Sequence, residues 1–332
     1  MSGTLGDFDE YGYDIVPRVR EDLEPAVCGS VWKGIWQLGR PSLWVASMVP
    51  LIVGSAAAWA ITRSFSPYWF FMAMIALVLI EIGKHGINEL VDFYTGVDGD
   101  IPPEKQTPFT GGRRTITEKV LTPGQVVIIS LVTLAAAVAF GLYISFARNP
   151  AILPIGVAGF IIAVLYTLPP AKFAYRGLGE LAVGVTYGPL VTLGAFILQA
   201  PAGDSGGLAF LLSLPLGLLI VNVLWINQFP DYEADKRGNK RNWVVRMGKK
   251  RSVPVFAALF LGAYALIALI AHQTRWYALL LGLVSLPIAL KSVVTAARNK
   301  DDIPRLIPAN AGTILVYVVT GITLTAGLFI GR

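Results

Sequence analysis

The sequence predicts an all-α, polytopic membrane protein with nine transmembrane helices bundled around a central cavity. Of its 332 residues, 55% are hydrophobic and only 14% are charged, whereas a soluble domain has roughly 25% charged residues. Apolar runs near the roughly 20 residues that cross hydrocarbon recur along the chain. They are too long and continuous for barrel strands, so a helical bundle is predicted. The runs lie at about 41–62, 68–95, 123–146, 151–168, 178–200, 207–230, 253–272, 276–296 and 308–330.

The basic residues predict the orientation, because Lys and Arg accumulate in cytoplasmic loops. Assigning the loops alternately to the two sides puts 23 basic residues on one side and four on the other. We therefore expect a multi-pass protein of the cell membrane with a cytoplasmic N-terminus and cytoplasmic long loops. The net charge of +6 indicates anionic lipid headgroups and diphosphates as partners. Nucleic acid is excluded because no aromatic and basic recognition module is visible.

A single transmembrane domain is predicted for residues 36–332, after a cytoplasmic N-terminal arm at residues 1–35. The first 30 residues are polar and acidic and lack the apolar core of a signal peptide. No polar stretch between apolar runs is long enough for a second domain. Cys28 is the one cysteine in the sequence, which excludes an internal disulfide and a thiolate metal cluster.

Two acidic clusters lie where apolar runs end on the same predicted side of the membrane. Asn88 and Asp92 are four residues apart, as are Asn227, Asp231 and Asp235, so each set would project from one face of a helix. Mg²⁺ takes oxygen ligands and is usually held by one or two carboxylates plus phosphate oxygens of a substrate. The clusters therefore predict a divalent-metal site that acts on a phosphorylated lipid.

The alternative is that these carboxylates are merely solvated at helix ends. Acidic groups near a helix C-terminus oppose the macrodipole at a cost of roughly 0.3–1 kcal/mol each, which favours the metal interpretation. Asp92, Asp231 and Asp235 are the predicted catalytic residues. The predicted metal ligands are Asn88, Glu89, Asp92, Asp98, Asp231 and Asp235.

Basic residues supply the second half of a predicted diphosphate site, because their N–H donors neutralise non-bridging oxygens and stabilise a leaving group. A basic residue beside a membrane segment can equally serve to set topology, and this alternative stays open for each candidate. The candidates are Arg113, Arg114, Lys172, Lys240 and Arg241.

Three further polar residues are candidates for binding an acceptor substrate. His85 lies one turn before Asn88, and Asn227 begins the second acidic cluster. Glu180 lies at the edge of the fifth apolar run, where a carboxylate marks a functional candidate. The alternatives are helix packing for His85, and capping or an ion pair with Arg176 for Glu180.

These motifs resemble the UbiA superfamily of intramembrane prenyltransferases, from about Trp36 to the end of the chain. The resemblance is carried by Asn88-Glu89-x-x-Asp92 with Asp98 and by Asp231-x-x-x-Asp235 followed by a basic stretch. Asp92-x-x-x-Gly-x-Asp98 and the run at 169–180 are most similar to the menaquinone-pathway branch, the 1,4-dihydroxy-2-naphthoate polyprenyltransferases. Glu89 stands where the family usually has Asp.

The resemblance implies that Mg²⁺, held by Asn88, Asp92, Asp98, Asp231 and Asp235, binds an allylic polyprenyl diphosphate. Loss of diphosphate would leave an allylic carbocation, which an aromatic carbon attacks. In the resembling branch the acceptor also loses its carboxylate.

Two alternatives stay open at this stage. The acceptor could instead be 4-hydroxybenzoate, homogentisate, a glycerol phosphate lipid or a tetrapyrrole, because Glu89 and the loop at 238–243 depart from the branch. An ion-coupled transporter fits less well, since transporter sites lie near the membrane midplane.

Overall fold

The computed structural model describes residues 30–40, 44–95, 115–201, 203–204 and 206–331. The predicted site residues Asp98, Arg113 and Arg114 lie outside these ranges. Across the described ranges all regular secondary structure is helical and no strand occurs. The all-α prediction is therefore confirmed.

Thirteen α-helices make up most of the described chain, with two 3₁₀-helices, Phe173–Tyr175 and Tyr277–Ser285, and one π-helical turn, Thr186–Leu190. The predicted boundary between residues 35 and 36 falls inside the first helix, and that division of the chain stays a prediction. The α-helices are α1 (Val31–Gly39), α2 (Val45–Thr62), α3 (Pro67–Thr95), α4 (Pro123–Ala147), α5 (Ile152–Leu165), α6 (Gly179–Val185), α7 (Val191–Gln199), α8 (Gly207–Asn227), α9 (Tyr232–Arg237), α10 (Trp243–Met247), α11 (Lys249–Thr274), α12 (Leu286–Asn299) and α13 (Ile303–Ile330).

Eight helical segments in the described residues are long and apolar enough to cross a membrane. The π turn joins α6 and α7 into one of them, and the second 3₁₀-helix joins α12 to form another. The apolar helix α5, with 14 residues, is shorter. Together these nine segments match the nine predicted apolar runs.

Local sequence explains where several spans begin. Thr122 accepts a hydrogen bond from the backbone N–H of Gln125, and the Gln125 side chain accepts one from the N–H of Thr122. This reciprocal capping box, followed by Pro123, starts α4. Asp302 similarly caps α13 by accepting from the N–H of Arg305. The caps satisfy N–H groups that the first turn of a helix leaves without partners.

The bundle has a densely packed half and a half that encloses a cavity. Helix α8 is central to the packed half, where it contacts α2, α6, α7, α11 and α13. Large fully buried side chains such as Leu216, Phe256 and Tyr317 fill this region. On the other side α3 packs along α4, and α5 contacts both of them. This layer carries few buried residues, and it forms one wall of the cavity.

Candidate active site

A cavity of about 690 Å³ lies inside the bundle. Its walls come from α2 to α8 and from α13, and most of the lining side chains are apolar. Polar residues are concentrated where α3 and α8 end. Those that line the cavity there are His85, Asn88, Asp92, Asn227, Asp231 and Lys240.

The first acidic cluster lies on one face of α3, as predicted. Asn88 Nδ2 donates to Asp92 Oδ2 at 2.8 Å, across one helical turn. The hydroxyl of Tyr175 donates to the other oxygen, Asp92 Oδ1, at 3.0 Å. Asp92 is only 2% exposed, so both partners hold a buried carboxylate in a defined orientation.

The second cluster differs from the expected single helix over residues 227–235. Helix α8 ends at Asn227 and α9 begins at Tyr232, because Pro230 has no N–H to continue the helical ladder. Asn227 and Asp231 line the cavity. Asp235 lies one turn further on, 4% exposed.

Asp235 is held by the loop that follows α9. Asn242 Nδ2 donates to Asp235 Oδ2 at 2.7 Å, while Asn242 Oδ1 caps α10 by accepting from the N–H of Val245. Burial raises the pKa of Asp235 to about 7, with Lys240 opposing the rise and the carboxylates of Asp231 and Asp92 adding to it. The carboxylates are therefore close enough to interact.

Lys240 connects the two clusters. Its Nζ lies 3.6 Å from Asp92 Oδ2 and 3.8 Å from Asp235 Oδ1. Burial by itself lowers the pKa of Lys240, but Asp92 and Asp235 outweigh that effect and raise the pKa well above its ordinary value. Carboxylates from two distant parts of the chain thus meet at one charged ammonium.

Tyr175 brings a second lysine to the same end of the cavity. Lys172 Nζ and Lys240 Nζ each lie 5.6 Å from the centre of its ring, within the range of cation–π attraction. Burial, followed by the charge of Asp92, raises the pKa of Tyr175, so its hydroxyl stays protonated as a donor to that carboxylate. The ring is therefore a support for both lysines.

The loop that carries Tyr175 is fastened to the loop that carries Lys240. The N–H of Arg241 donates to Tyr175 O at 3.0 Å. The guanidinium of Arg246 donates to Arg241 O and to Arg176 O, each at 2.8 Å. The Arg241 guanidinium is at the exposed edge, where its Nε donates to Asn239 Oδ1. The two loops therefore form one unit above the cavity.

Glu89 and Glu180 are buried but are not among the described residues that line the cavity. Glu89 Oε1 accepts from the N–H of Ile116 at 3.0 Å. Glu180 Oε1 accepts from Gln228 Nε2 at 2.9 Å and from the N–H of Trp243 at 3.0 Å. These three contacts tie Ile116 to α3, and Gln228 and the first residue of α10 to α6. The predicted roles of the two carboxylates stay predictions.

Asn227 and His85 face the cavity with polar partners of their own. Asn310 Nδ2 donates to Asn227 Oδ1 at 2.8 Å. His85 Nε2 lies 3.5 Å from Glu81 Oε2. That glutamate is 2% exposed and lies in the middle of α3.

Sequence reasoning missed Glu81 and its neighbours Ser47, Lys84 and Tyr187, all of which line the cavity. The signal for Glu81 was present, because an ionisable residue inside an apolar run is a functional candidate by default. Lys84 was counted among the loop residues, whereas it lies within α3. Nothing in the sequence indicated that Tyr187 would meet them.

The donor set at the carboxylate end suits a hard cation that also takes oxygens from a substrate. In the part of the chain that the structure describes, no group of three or more His, Cys, Asp or Glu side chains could hold a metal ion. Asp92, Asp231, Asp235 and the amides of Asn88 and Asn227 lie at this end of the cavity, and Mg²⁺ commonly uses one or two carboxylates with phosphate oxygens and water. These are donors of the kind that Mg²⁺ takes together with a diphosphate, and in this structure Lys240 lies between Asp92 and Asp235.

Fold and site together define the class of the protein, which is a polytopic helical membrane protein. Its apolar cavity ends in carboxylates and lysines, a combination that suits a lipid with a charged headgroup. The model of the UbiA prenyltransferase family matches residues 47–321. The chain belongs to this family and is a prenyltransferase.

Similar proteins from several organisms match most of the chain. It is 28% identical over 298 residues to the 1,4-dihydroxy-2-naphthoate octaprenyltransferase of Bacillus subtilis, covering 89% of this chain and 92% of that one. The protein of the same name from Mycobacterium tuberculosis is 29% identical over 303 residues, with 90% and 97% covered. UbiA prenyltransferase domain-containing protein 1 of Dictyostelium discoideum is 30% identical over 273 residues, with 80% and 79% covered.

Solved structures share the fold at lower identity. A UbiA homologue from Aeropyrum pernix has a TM-score of 0.63 at 16% identity, covering 86% of this chain and 96% of that one. A UbiA homologue from Archaeoglobus fulgidus, bound to DMAPP and Mg²⁺, has a TM-score of 0.59 at 16% identity, with 88% and 99% covered.

Replacing Lys240 with Met should destabilise the protein, because it leaves the buried carboxylates of Asp92 and Asp235 without their shared cation. Breaking a buried ion pair by removing one partner costs about 3–5 kcal/mol. We expect a clearly lower Tm in detergent with EDTA present. Lys236→Met, at an exposed position in α9, is the matched control. Equal Tm values for the two variants would contradict the bridging role of Lys240.

Proposed function

We propose that this protein transfers a polyprenyl group from an allylic diphosphate to 1,4-dihydroxy-2-naphthoate in the membrane, in a Mg²⁺-dependent step of menaquinone biosynthesis. The observation that carries the proposal is the convergence of Asp92 and Asp235 on Lys240 at one end of a large apolar cavity. The names of the bacterial relatives support the acceptor.

In this proposal Asn88, Asp92, Asp231 and Asp235 hold Mg²⁺, with Asp98 as a further predicted ligand. Mg²⁺, when bound, supplies positive charge that neutralises the diphosphate and makes it a better leaving group. The archaeal homologue with DMAPP and Mg²⁺ supports this donor class. Glu89 stays a predicted ligand, although one of its oxygens is committed to the N–H of Ile116.

Lys172 and Lys240, each 5.6 Å from the centre of the Tyr175 ring, bind the non-bridging oxygens of the diphosphate and stabilise the charge that develops as it leaves. Arg241, at the exposed edge of this end, is a further candidate for binding the diphosphate, and Arg113 and Arg114 stay predicted candidates. Because Lys240 already compensates two carboxylates, its approach to phosphate has to be accompanied by the arrival of the metal.

The apolar cavity completes the mechanism. Side chains such as Leu77, Val138 and Phe160 line it, so they can hold the prenyl chain and keep water from the allylic cation. Cleavage of the C–O bond to diphosphate supplies the electrophile, the allylic cation. The aromatic carbon of the acceptor then forms the new C–C bond with this cation, and the acceptor's carboxylate leaves as CO₂.

We also propose that the N-terminus and the loops at the carboxylate end face the cytoplasm of the cell that makes the protein. The support is the distribution of basic residues between the two sides, 22 against four once Lys84 is assigned to α3.

The acceptor is tested with purified protein in nanodiscs supplied with geranylgeranyl diphosphate, Mg²⁺ and a panel of aromatic acceptors, and products are measured by mass spectrometry. We expect a prenylated, decarboxylated naphthoquinol that is absent with EDTA. A prenylated product from another acceptor would assign the protein to a different pathway and leave the proposed mechanism unchanged. Intact donor with every acceptor would contradict the proposed activity.

Asp92→Asn and Asp235→Asn should each lower turnover more than about 100-fold, because each removes a proposed metal ligand. The Tm of each variant is measured alongside to show that the protein is folded. Asp204→Asn is the matched control, since Asp204 is exposed and accepts only a local bond from the N–H of Gly206. Near-normal turnover in a folded variant would remove that residue from the proposed metal site.

The orientation is tested with the natural Cys28, the one cysteine in the sequence. A membrane-impermeant maleimide should label it in inverted membrane vesicles and leave it unlabelled in intact cells. A Cys28→Ser, Asp204→Cys double variant should show the opposite pattern. Labelling of Cys28 in intact cells would overturn the proposed orientation.

A further inference from the structure

A second polar cluster lies in the cavity wall, toward the N-terminal side of α3 from the carboxylate end. It consists of Ser47 on α2, Glu81, Lys84 and His85 on α3, and Tyr187 in the π turn, and all five line the cavity. Ionisable residues inside a membrane-spanning segment are costly and usually mark a functional site. None of the five belongs to the proposed diphosphate site.

Glu81 is the anchor of this cluster and is poorly suited to act as a base. Its Oε1 accepts from Ser47 Oγ at 2.5 Å and from the Tyr187 hydroxyl at 2.6 Å. Its Oε2 lies 3.0 Å from Lys84 Nζ and 3.5 Å from His85 Nε2. A carboxylate offers about four acceptor positions, and these neighbours occupy them.

Lys84 retains hydrogen-bonding capacity that Glu81 lacks. Its ammonium donates to Glu81 and to the Tyr187 hydroxyl, and it lies 5.0 Å from the centre of the Tyr187 ring. An ammonium has three N–H donors, so these two acceptors in the described part of the chain leave one donor over. The side chain is 22% exposed, against 3% for Glu81, and it faces the cavity. This donor faces the space in which a ligand oxygen would lie.

The backbone beside Tyr187 is irregular in a way that serves this contact. Thr186–Leu190 is a π turn, with Pro189 inside it, in an otherwise α-helical span. Single π turns are often found at functional sites. Gly188 allows the close approach of α8 there, because a Cβ at this position would lie 2.9 Å from the Cα of Gly217. The hydroxyl of Tyr187, which belongs to this turn, contacts both Glu81 and Lys84.

The position of Lys84 along α3 suits the second substrate of the proposed reaction. At about 1.5 Å per residue, it lies one turn, about 6 Å, from Asn88 and about 12 Å from Asp92. The diphosphate would occupy the Asp92 end, and the prenyl carbon that reacts is bonded directly to it. An aromatic ring anchored at Lys84 would therefore extend toward that carbon.

We infer that Lys84, positioned by Glu81 and Tyr187, binds the carboxylate of an acidic aromatic acceptor. This inference rests on the proposed prenyl transfer and specifies how the acceptor is recognised. The cation of Lys84 is compensated by Glu81 in the absence of acceptor, so the wall does not carry an isolated charge. The carboxylate then takes the remaining N–H in a charge-assisted hydrogen bond.

The test measures acceptor binding to purified protein in nanodiscs without Mg²⁺ or diphosphate, by calorimetry. Two pairs of probes differ only in the carboxylate: 1-hydroxy-2-naphthoate against 1-naphthol, and 4-hydroxybenzoate against phenol. We expect the wild type to bind at least one acid about 10- to 100-fold more tightly than its neutral partner, as one charge-assisted hydrogen bond allows. Lys84→Gln should abolish that preference, and Lys84→Arg should retain part of it.

Lys300→Gln is the matched control, because the Lys300 ammonium pairs with Asp301 outside the cavity, and it should keep the full preference. Binding of a geranylgeranyl thiolodiphosphate with Mg²⁺ shows that each variant is folded. If Lys84→Gln does not bind this probe, the acid preference of the wild type is compared with that of Lys84→Arg instead.

Equal binding of acid and neutral probes by the wild type in both pairs, or an unchanged acid preference in folded Lys84→Gln, would overturn the inference. Neither result would affect the proposed prenyl transfer, which the turnover assay tests separately. A preference for the acid that is found only in the benzoate pair would support the proposed role of Lys84. It would also indicate a benzoate instead of a naphthoate as the acceptor.

Discussion

The shared ion pair of Lys240 with Asp92 and Asp235 is the interaction on which the carboxylate end of this bundle depends. Asp92 belongs to α3 in the loosely packed half, and Asp235 follows α8 of the densely packed half. Two buried carboxylates facing each other would repel strongly in such surroundings, so the lysine makes their proximity possible. In the proposed function, this arrangement supplies negative charge at the position where Mg²⁺ and a diphosphate would bind together.

The loops around this ion pair are fixed by contacts that contribute no charge to the cavity. Arg246 binds backbone carbonyls of both loops, and Glu180 accepts from Gln228, just after α8, and from the start of α10. Tyr175 then supports Lys172 and Lys240 on its ring and Asp92 at its hydroxyl. Rigid support of this kind matters because a small displacement of catalytic groups is costly in rate.

Much of the fold was predictable because hydrocarbon imposes a simple rule on sequence, and in the described residues each apolar run became an apolar helical segment, eight of them long enough to span a membrane. The face shared by Asn88 and Asp92 was also predictable, since α3 continues unbroken beyond them. The break after Asn227 was harder to predict, because whether Pro230 ends or only kinks a helix depends on tertiary contacts. The contacts of Lys240 with Asp92 and of Lys84 with Tyr187 join residues more than 100 positions apart. No local sequence pattern therefore indicates them.

The short helix α5 has a consequence for the surrounding bilayer. Its 14 residues rise about 21 Å, well short of the roughly 30 Å of hydrocarbon that a span has to cross. None of its side chains is buried, and many of them line the cavity. A helix shorter than the surrounding hydrocarbon is accommodated by thinning of the bilayer, by flanking residues that reach the interface or by association, at a modest cost for each ångström of mismatch. Because α5 lines the cavity, membrane thickness acts directly on a helix of the cavity wall, and acyl-chain composition is a variable that can act on it without contacting the polar residues.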